Sequence, residues 1–252
     1  MKGTVYLVGA GPGAADLLTL RAVRVLAEAD IVFHDALIPA EVLALVAKGK
    51  LLPVGKRSGR HSTAQTFINK RLADAARRYR VVVRLKGGDP MLFGRAHEEI
   101  SYLTRQRIEV RVVPGVTAAL AASADLGISL SQRGVARSVV FATPREAEGA
   151  RPSNWAAAVA AADTAVLYMA AGEARSVLDA LLAAGLPPGK PMAIVENASV
   201  GYALAAGTLA DLPALAARCA GGPAVVMIGD VYAALQATAS RDLLPRLTSQ
   251  SA

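Results

Sequence analysis

Cysteine and aromatic residues are scarce in this sequence, and each shortage excludes a class of site. Among 252 residues there is one cysteine, Cys219, and Phe, Trp and Tyr together make up 4%. A lone cysteine forms no internal disulfide and supplies no zinc cluster, so we interpret it as a core residue. The three histidines, His34, His61 and His97, are not spaced as metal ligands. We therefore expect no bound metal.

Long hydrophobic runs are also missing. The most apolar stretch, "WAAAVAAADTAVLYMAAG" from Trp155, is interrupted by Asp163 and Thr164 and consists mostly of alanine. A membrane-spanning helix needs about 20 strongly apolar residues. No opening stretch has the layout of a signal peptide. We expect a cytoplasmic protein with no membrane partner.

Negative charge is in deficit. The chain has 28 Lys and Arg against 20 Asp and Glu, a net charge of +8. A basic surface favours an anionic partner, but the basic residues are scattered, and no run interleaves them with aromatic residues as a base-stacking surface requires. This pattern favours an acidic small molecule over nucleic acid. An incidental charge balance without functional meaning remains the alternative.

Strand-like and helical patterns alternate along almost the whole chain. The run "VVVRL" is continuous and apolar, as is typical of a parallel strand buried on both faces. Helices are predicted over 16–29 and 173–184, and another opens with the capping pair Ser62 and Gln65. Strands are predicted over 5–8, 31–34, 81–85, 109–113, 138–142, 165–169, 192–196 and 224–228. This alternation predicts two α/β domains with mainly parallel sheets, divided as 1–114 and 115–252.

Small residues follow the predicted strands of the first domain. The turns are "GAGPG" after the first strand, "HD" after the second, "KGGDP" after "VVVRL" and "PGVTAA" after the next. In open α/β sheets ligands bind beyond the carboxyl ends of the strands. A single such turn is explained by a tight strand-to-helix connection, but four at one sheet edge favour a ligand cleft.

The first turn admits two interpretations. Gly9, Gly11 and Ala14 satisfy the dinucleotide fingerprint, and Asp35 follows the second strand as a ribose-binding acid does, which favours an NAD-dependent oxidoreductase. Pro12 has no N–H to donate to a pyrophosphate. The "KGGDP" turn is also unexplained by that fingerprint, and it suits a ligand with hydroxyl and ammonium groups.

Taken together, these motifs resemble the tetrapyrrole methylase family, and within it the enzymes that methylate uroporphyrinogen III. The resemblance covers residues 4 to about 231, and "VGKR" with "RLKGGDP" is its most specific part. The matching stretches are "VYLVGAGPGAADLLTLRAVRVLAEADIV", "VGKRSGRHS", "VVVRLKGGDPMLFGR", "VVPGVTAALAA", "LYM", "VENAS" and "GTLADL".

The resemblance implies a fold, an activity and partners. The fold is two α/β domains with the ligand cleft between them, and the assembly is a homodimer. The implied activity is S-adenosyl-L-methionine-dependent C-methylation of uroporphyrinogen III at two ring carbons. Its products would be precorrin-2, a precursor of siroheme and cobalamin, and S-adenosyl-L-homocysteine.

It also implies roles for individual residues. Asp35 would be the proton acceptor and Lys56 the proton donor. We expect the substrate carboxylates at Arg57, Arg60 and Arg95, because guanidinium groups pair with carboxylates bidentately. Residues implied at the methyl donor are Pro12, Gly87, Gly88, Asp89, Leu92, Thr117, Ala118, Met169, Ala198 and Ala224. The alternatives are a solvated surface pair for Lys56 and Arg57 and ordinary core packing for Met169.

Four stretches depart from the family pattern, mostly away from the donor turns. They are "FGRAHEE", "ISLSQR", "FATPR" and "ENASVGYAL". The departures leave open a methylase of another precorrin. A non-catalytic module that binds the donor is a further alternative.

Overall fold

The computed structural model describes residues 2–54, 65–146 and 153–235. The chain divides into two compact units, Met1–Ala121 and Ala122–Ala252. Each unit has its own five-stranded sheet with helices, which confirms the predicted α/β fold with two domains. The predicted boundary after residue 114 stays a prediction.

The first sheet is entirely parallel. Its strand order is β3-β2-β4-β1-β5. The carboxyl ends of all five strands therefore meet at one edge, which is where α/β proteins bind ligands. The strands are β1 (Thr4–Gly9), β2 (Ile31–His34), β3 (Lys50–Pro53), β4 (Val81–Lys86) and β5 (Val110–Val113).

Apolar side chains cover both faces of this sheet. Val5, Leu7 and Val82 belong to one buried cluster, and Val8 and Val83 belong to another. The double burial predicted for "VVVRL" is thereby confirmed. The helices are α1 (Leu20–Glu28), α2 (Ala40–Leu43), α3 (Gln65–Ala76), α4 (Ala96–Arg105) and α5 (Ala118–Leu126), the last containing the division between the units.

The first helix begins later than predicted. A 3-10 turn occupies Ala15–Leu17, and α1 starts only at Leu20. Thr19 is extended, and its Oγ1 accepts a hydrogen bond of 3.1 Å from the N–H of Ala22. This N-cap fixes the start of the helix. Ser62, predicted to open the next helix, lies outside the described residues.

The second sheet is mixed, whereas mainly parallel strands were predicted. Its order is β6-β7-β10-β8-β9, and only β6 and β7 are parallel. Residues 197–202 alone connect β8 to β9, and a parallel connection needs a crossover of about a dozen residues. The strands are β6 (Val139–Ala142), β7 (Thr164–Tyr168), β8 (Pro191–Glu196), β9 (Ala203–Thr208) and β10 (Ala224–Gly229).

One apolar cluster forms the core of the second unit. Leu167, Ile194 and Val226 contribute to it from the sheet, and Leu178 and Leu181 contribute from a helix. That helix, predicted over 173–184, extends over Ala174–Ala183. The helices of this unit after α5 are α6 (Trp155–Ala161), α7 (Ala174–Ala183) and α8 (Leu212–Ala216).

Candidate functional site

The glycine turns that follow β1 and β4 are joined edge to edge. The N–H of Gly88 donates to the carbonyl of Gly11 at 2.7 Å, and the N–H of Gly11 donates to the carbonyl of Gly88 at 3.3 Å. Pro12 and Gly87, both predicted at the donor, are immediate neighbours of this bridge. Two turns far apart in sequence thus form one continuous backbone surface.

Asp89 connects this surface to the turn after β5. Its Oδ2 accepts a 2.9 Å hydrogen bond from the N–H of Gly115, and its Oδ1 accepts a 2.8 Å bond from the N–H of Met91. The next helix, α4, starts only at Ala96, so Asp89 is not its N-cap. The carboxylate instead fixes the turn in which Gly87, Gly88 and Leu92 lie.

The glycines of this edge differ in what surrounds them. A Cβ on Gly9 would lie 2.7 Å from the Cα of Gly115, so this glycine is required by packing. A Cβ on Gly87 would meet no described atom within 4 Å, and Gly87 does not have the positive φ that favours glycine. Neither packing nor conformation explains Gly87, and its bare backbone is accessible to a ligand.

Thr117 and Ala118 lie at the start of α5, just after Gly115. The Thr117 carbonyl accepts the N–H of Leu120 at 3.1 Å, and Thr117 is buried. The structure therefore brings the predicted donor residues of the first unit to the carboxyl edge of its sheet.

The donor residues predicted in the second unit share one edge of the second sheet. Met169 directly follows β7, and Ala224 begins the antiparallel neighbour β10. Ala224 is paired with Glu196 at the end of β8, two residues before Ala198. These three positions are thus close although they are far apart in sequence.

Three residues at this edge have left-handed backbones without being glycine. They are Met169 at φ 59°, Asn197 at φ 55° and Ser199 at φ 70°. Such conformations cost about 1–3 kcal/mol each and concentrate at functional sites. Met169 is also 43% exposed, so it is not an ordinary core residue.

Asp35 lies at the end of β2 on a buried cluster of charges. One of its carboxylate oxygens, Oδ1, accepts a hydrogen bond from Nη2 of Arg84, and the Asp35 side chain is 34% exposed. The Arg84 side chain is buried and also contacts Glu99 at 3.3 Å. Asp35 is therefore the member of this cluster that reaches the surface.

Glu99 on α4 is the buried counter-ion of the cluster. Lys86 donates to both of its carboxylate oxygens at 3.2 Å, and Gln65 donates to Oε1 at 2.9 Å. Burial lowers the pKa of Lys86, and the neighbouring Arg84 charge lowers it further. The buried part of the cluster thus consists of two basic side chains, Arg84 and Lys86, and one carboxylate, Glu99.

The sequence patterns did not single out Arg84, Lys86 and Glu99 as functional residues. A signal was present, because "VVVRLK" places two cations inside a strand predicted to be buried on both faces. A buried charge requires a partner, and that requirement predicts an acidic residue on a covering helix. The distance in sequence concealed which residue it is.

The predicted substrate arginines are only partly described. Arg95 is exposed and forms a bidentate pair with Glu98, with both hydrogen bonds at 2.7 Å. The hydrogen bond from Arg95 lowers the pKa of Glu98. Lys56, Arg57 and Arg60 lie outside the described residues.

The part of the chain that the structure describes has neither a metal-binding cluster nor a membrane-spanning helix. Within 2–54, 65–146 and 153–235, no three His, Cys, Asp or Glu side chains are grouped so that they could hold a metal ion. In the same ranges, each helix is too short or too polar to cross a membrane.

A family model and several named proteins match this chain. The family model of tetrapyrrole (corrin/porphyrin) methylases matches residues 4–213. A uroporphyrinogen-III C-methyltransferase of Pseudomonas aeruginosa is 40% identical over 254 residues, which is 100% of both chains. A siroheme synthase of Nitrosococcus oceani is 42% identical over 235 residues, covering 92% of this chain and 50% of the synthase. The chain thus spans about half the length of that relative.

Solved structures agree with these sequence matches. A uroporphyrin-III C-methyltransferase from Thermus thermophilus, complexed with S-adenyl homocysteine, superposes with a TM-score of 0.81 at 38% identity. The match covers 92% of this chain and 100% of the other. As its motifs predicted, the chain belongs to the tetrapyrrole methylase family.

Proposed function

We propose that this protein is an S-adenosyl-L-methionine-dependent uroporphyrinogen-III C-methyltransferase that makes precorrin-2 in two methylations. The observation that carries the proposal is the match, over all of both chains, to a relative of that name. A cytoplasmic homodimer that supplies siroheme and cobalamin synthesis belongs to the same proposal.

The joined turns support a donor site at the carboxyl edge of the first sheet. Among the described residues, Gly87 has open space beside its backbone, and the Gly11–Gly88 bridge fixes the surface next to it. In this proposal the donor, S-adenosyl-L-methionine, supplies an activated methyl group on sulfur. The residues that would contact it are Pro12, Gly87, Gly88, Asp89, Leu92, Thr117, Ala118, Met169, Ala198 and Ala224.

The protein's own task is orientation and proton removal. Holding a ring carbon in line with the methyl group supplies up to about 7–11 kcal/mol of the barrier. The ring becomes cationic on methylation and must lose a proton, and Asp35 would accept it. Lys56 would donate a proton, and Arg57, Arg60 and Arg95 would bind the carboxylates of the substrate. Arg95 would have to exchange its pairing with Glu98 for a pairing with substrate.

The direct test incubates purified protein with the donor and uroporphyrinogen III, kept reduced, and follows product mass. We expect the mass of two added methyl groups. Asp35→Asn removes the proton acceptor but keeps its shape, so kcat should fall by about 10²–10⁴-fold. Lys56→Ala should also lower kcat.

Each competing function has its own outcome. Donor binding without any mass change would reject the proposal and favour a binding module, and methylation of a later precorrin alone would reassign the substrate. If the protein binds NAD and does not bind S-adenosyl-L-homocysteine, the oxidoreductase is favoured. Full turnover by both variants would overturn the catalytic assignments while leaving the reaction in place.

A further inference from the structure

Every nitrogen of the Arg84 guanidinium has a hydrogen-bond acceptor. Nε donates to Glu99 at 3.3 Å, and Nη1 donates to the carbonyls of Leu85 at 3.1 Å and Phe33 at 3.4 Å. Nη2 donates to Oδ1 of Asp35. Because the guanidinium is a rigid plane, these four contacts fix its orientation. Arg84 is buried and cannot itself reach a substrate on the surface.

The Glu99 carboxylate holds the buried side of the Arg84 guanidinium through Nε. Its side chain is fully buried, and it accepts hydrogen bonds from Arg84, Lys86 and Gln65. A buried carboxylate with several charged donors has little freedom to move, because any rotation would leave a buried charge unpaired. The α4 helix, which carries Glu99, is thereby coupled to the strand that carries Arg84.

Asp35 differs from the rest of the cluster in its exposure. Its side chain is 34% exposed, while those of Arg84 and Glu99 are 4% and 0% exposed. Oδ1 is bonded to Arg84, and Oδ2 has no hydrogen-bond partner among the described residues. Within the described part of the chain, one oxygen of the carboxylate is therefore held by the protein and the other is available to a bound molecule.

We infer that Arg84, held in turn by Glu99, is a positioning residue that orients the Asp35 carboxylate toward the methylated ring. The inference rests on the proposed function. The methylated ring carbon carries its carboxyalkyl arm and no hydrogen, so in the step concerned a C–H bond of the adjacent methylene bridge breaks and its electron pair neutralises the cationic pyrrole. The proton forms a new bond to Oδ2 of Asp35. Arg84 contributes by keeping the other oxygen in place.

Lys86 provides a matched control. Like Arg84, it is a buried cation on β4 that contacts Glu99. The Lys86–Glu99 distance is 3.2 Å, and the Arg84–Glu99 distance is 3.3 Å. Among its hydrogen bonds there is none to Asp35. Arg84→Met and Lys86→Met thus each remove one buried cation from Glu99, but only the first removes the contact with Asp35.

The test measures kcat, KM for uroporphyrinogen III and the Kd of S-adenosyl-L-homocysteine for full-length wild type, Arg84→Met, Arg84→Lys and Lys86→Met. For Arg84→Met we expect kcat to fall by about 10²-fold, the scale of a misplaced reacting group, with KM and Kd near their wild-type values. Lys86→Met should have a kcat closer to wild type than to Arg84→Met. Arg84→Lys keeps the positive charge but lacks the planar guanidinium, so its kcat should lie between those of wild type and Arg84→Met.

Several outcomes would overturn the inference. They are an unchanged kcat in Arg84→Met, an equal loss in Lys86→Met, or a kcat loss matched by weaker donor binding. If Arg84→Met does not fold, Arg84→Lys is measured in its place. A wild-type kcat in Arg84→Lys would then contradict the inference. Absence of methylation by the wild type would instead reject the proposed function. A crystal structure of Arg84→Lys then still tests positioning, through the place of the Asp35 carboxylate.

Discussion

Two glycines at the carboxyl edge of the first sheet, Gly9 and Gly87, differ in whether packing explains why glycine occupies the position. Gly9 is explained by its neighbours, since a Cβ there would lie 2.7 Å from backbone atoms of both Gly115 and Gly88. Gly87 has open space around it among the described residues. Packing thus accounts for Gly9 but does not account for Gly87.

Substitution by alanine tests this difference. Gly87→Ala should leave the unfolding free energy unchanged or raise it by about 0.4–1 kcal/mol. It should weaken S-adenosyl-L-homocysteine binding at least about tenfold, or 1.4 kcal/mol. Gly9→Ala should lower the unfolding free energy by about 1–3 kcal/mol, because the new methyl group collides with backbone. Urea unfolding and titration calorimetry measure the two quantities.

Gly189→Ala is the control for Gly87→Ala. Gly189 also has open space around it in the described structure, and it lies in the loop before β8. Its substitution should affect the unfolding free energy in the same way as Gly87→Ala, and it should leave S-adenosyl-L-homocysteine binding unchanged. Wild-type donor affinity in Gly87→Ala would contradict a donor site at this turn.

In the second unit, the pairing of β6 with β7 is supported by a residue outside both strands, Asp163. Asp163, just before β7, accepts hydrogen bonds from the N–H groups of Arg137 at 2.8 Å and Ser138 at 2.9 Å. It also accepts one from the Ser138 hydroxyl at 2.9 Å. These bonds tie the start of β7 to the segment that leads into β6.

The same bonds make this pairing sensitive to acid. The backbone hydrogen bond from Arg137, followed by the bonds from Ser138, lowers the pKa of Asp163 below its unfolded value. The stabilisation is therefore complete above the unfolded value, about 3.9, and is lost as pH falls through the lower folded value. Asp163→Asn should cost stability at pH 7, and the difference from wild type should shrink below about pH 4.

Urea midpoints measured from pH 7 to pH 3 test this dependence. Asp179→Asn, which changes an exposed carboxylate on α7, is the control and should follow the wild type. A stability difference between Asp163→Asn and wild type that stays constant with pH would contradict the assignment.

At the scale of the whole molecule, ligand binding should stabilise the native state. A ligand at about 100 times its Kd adds about 2.7 kcal/mol, and for a chain of this size each kcal/mol raises Tm by about 2–4 °C. S-adenosyl-L-homocysteine should therefore raise Tm by about 5–10 °C in calorimetry. NAD should leave Tm unchanged, and Gly87→Ala should lose most of the shift. A rise with NAD alone would favour the dinucleotide alternative.

Much of the fold could be predicted because short patterns encode it. The predicted strands correspond to β1, β2, β4, β5, β6, β7, β8 and β10, each within about two residues. The strands β3 and β9 were missed. The β9 segment, Ala203–Thr208, is mostly alanine and glycine, which are poor strand formers, and it is a strand because it pairs with β8.

The sequence by itself determined the alternation of elements, the glycine turns and the family. These depend on hydrophobic periodicity and on residues adjacent along the chain. Tertiary structure decided what surrounds Asp35. Pairing of β2 with β4 sets Phe33 opposite Arg84, and α4 covers that face with Glu99. Strand register and helix packing arise from contacts between distant segments, so no local pattern specifies which charges meet.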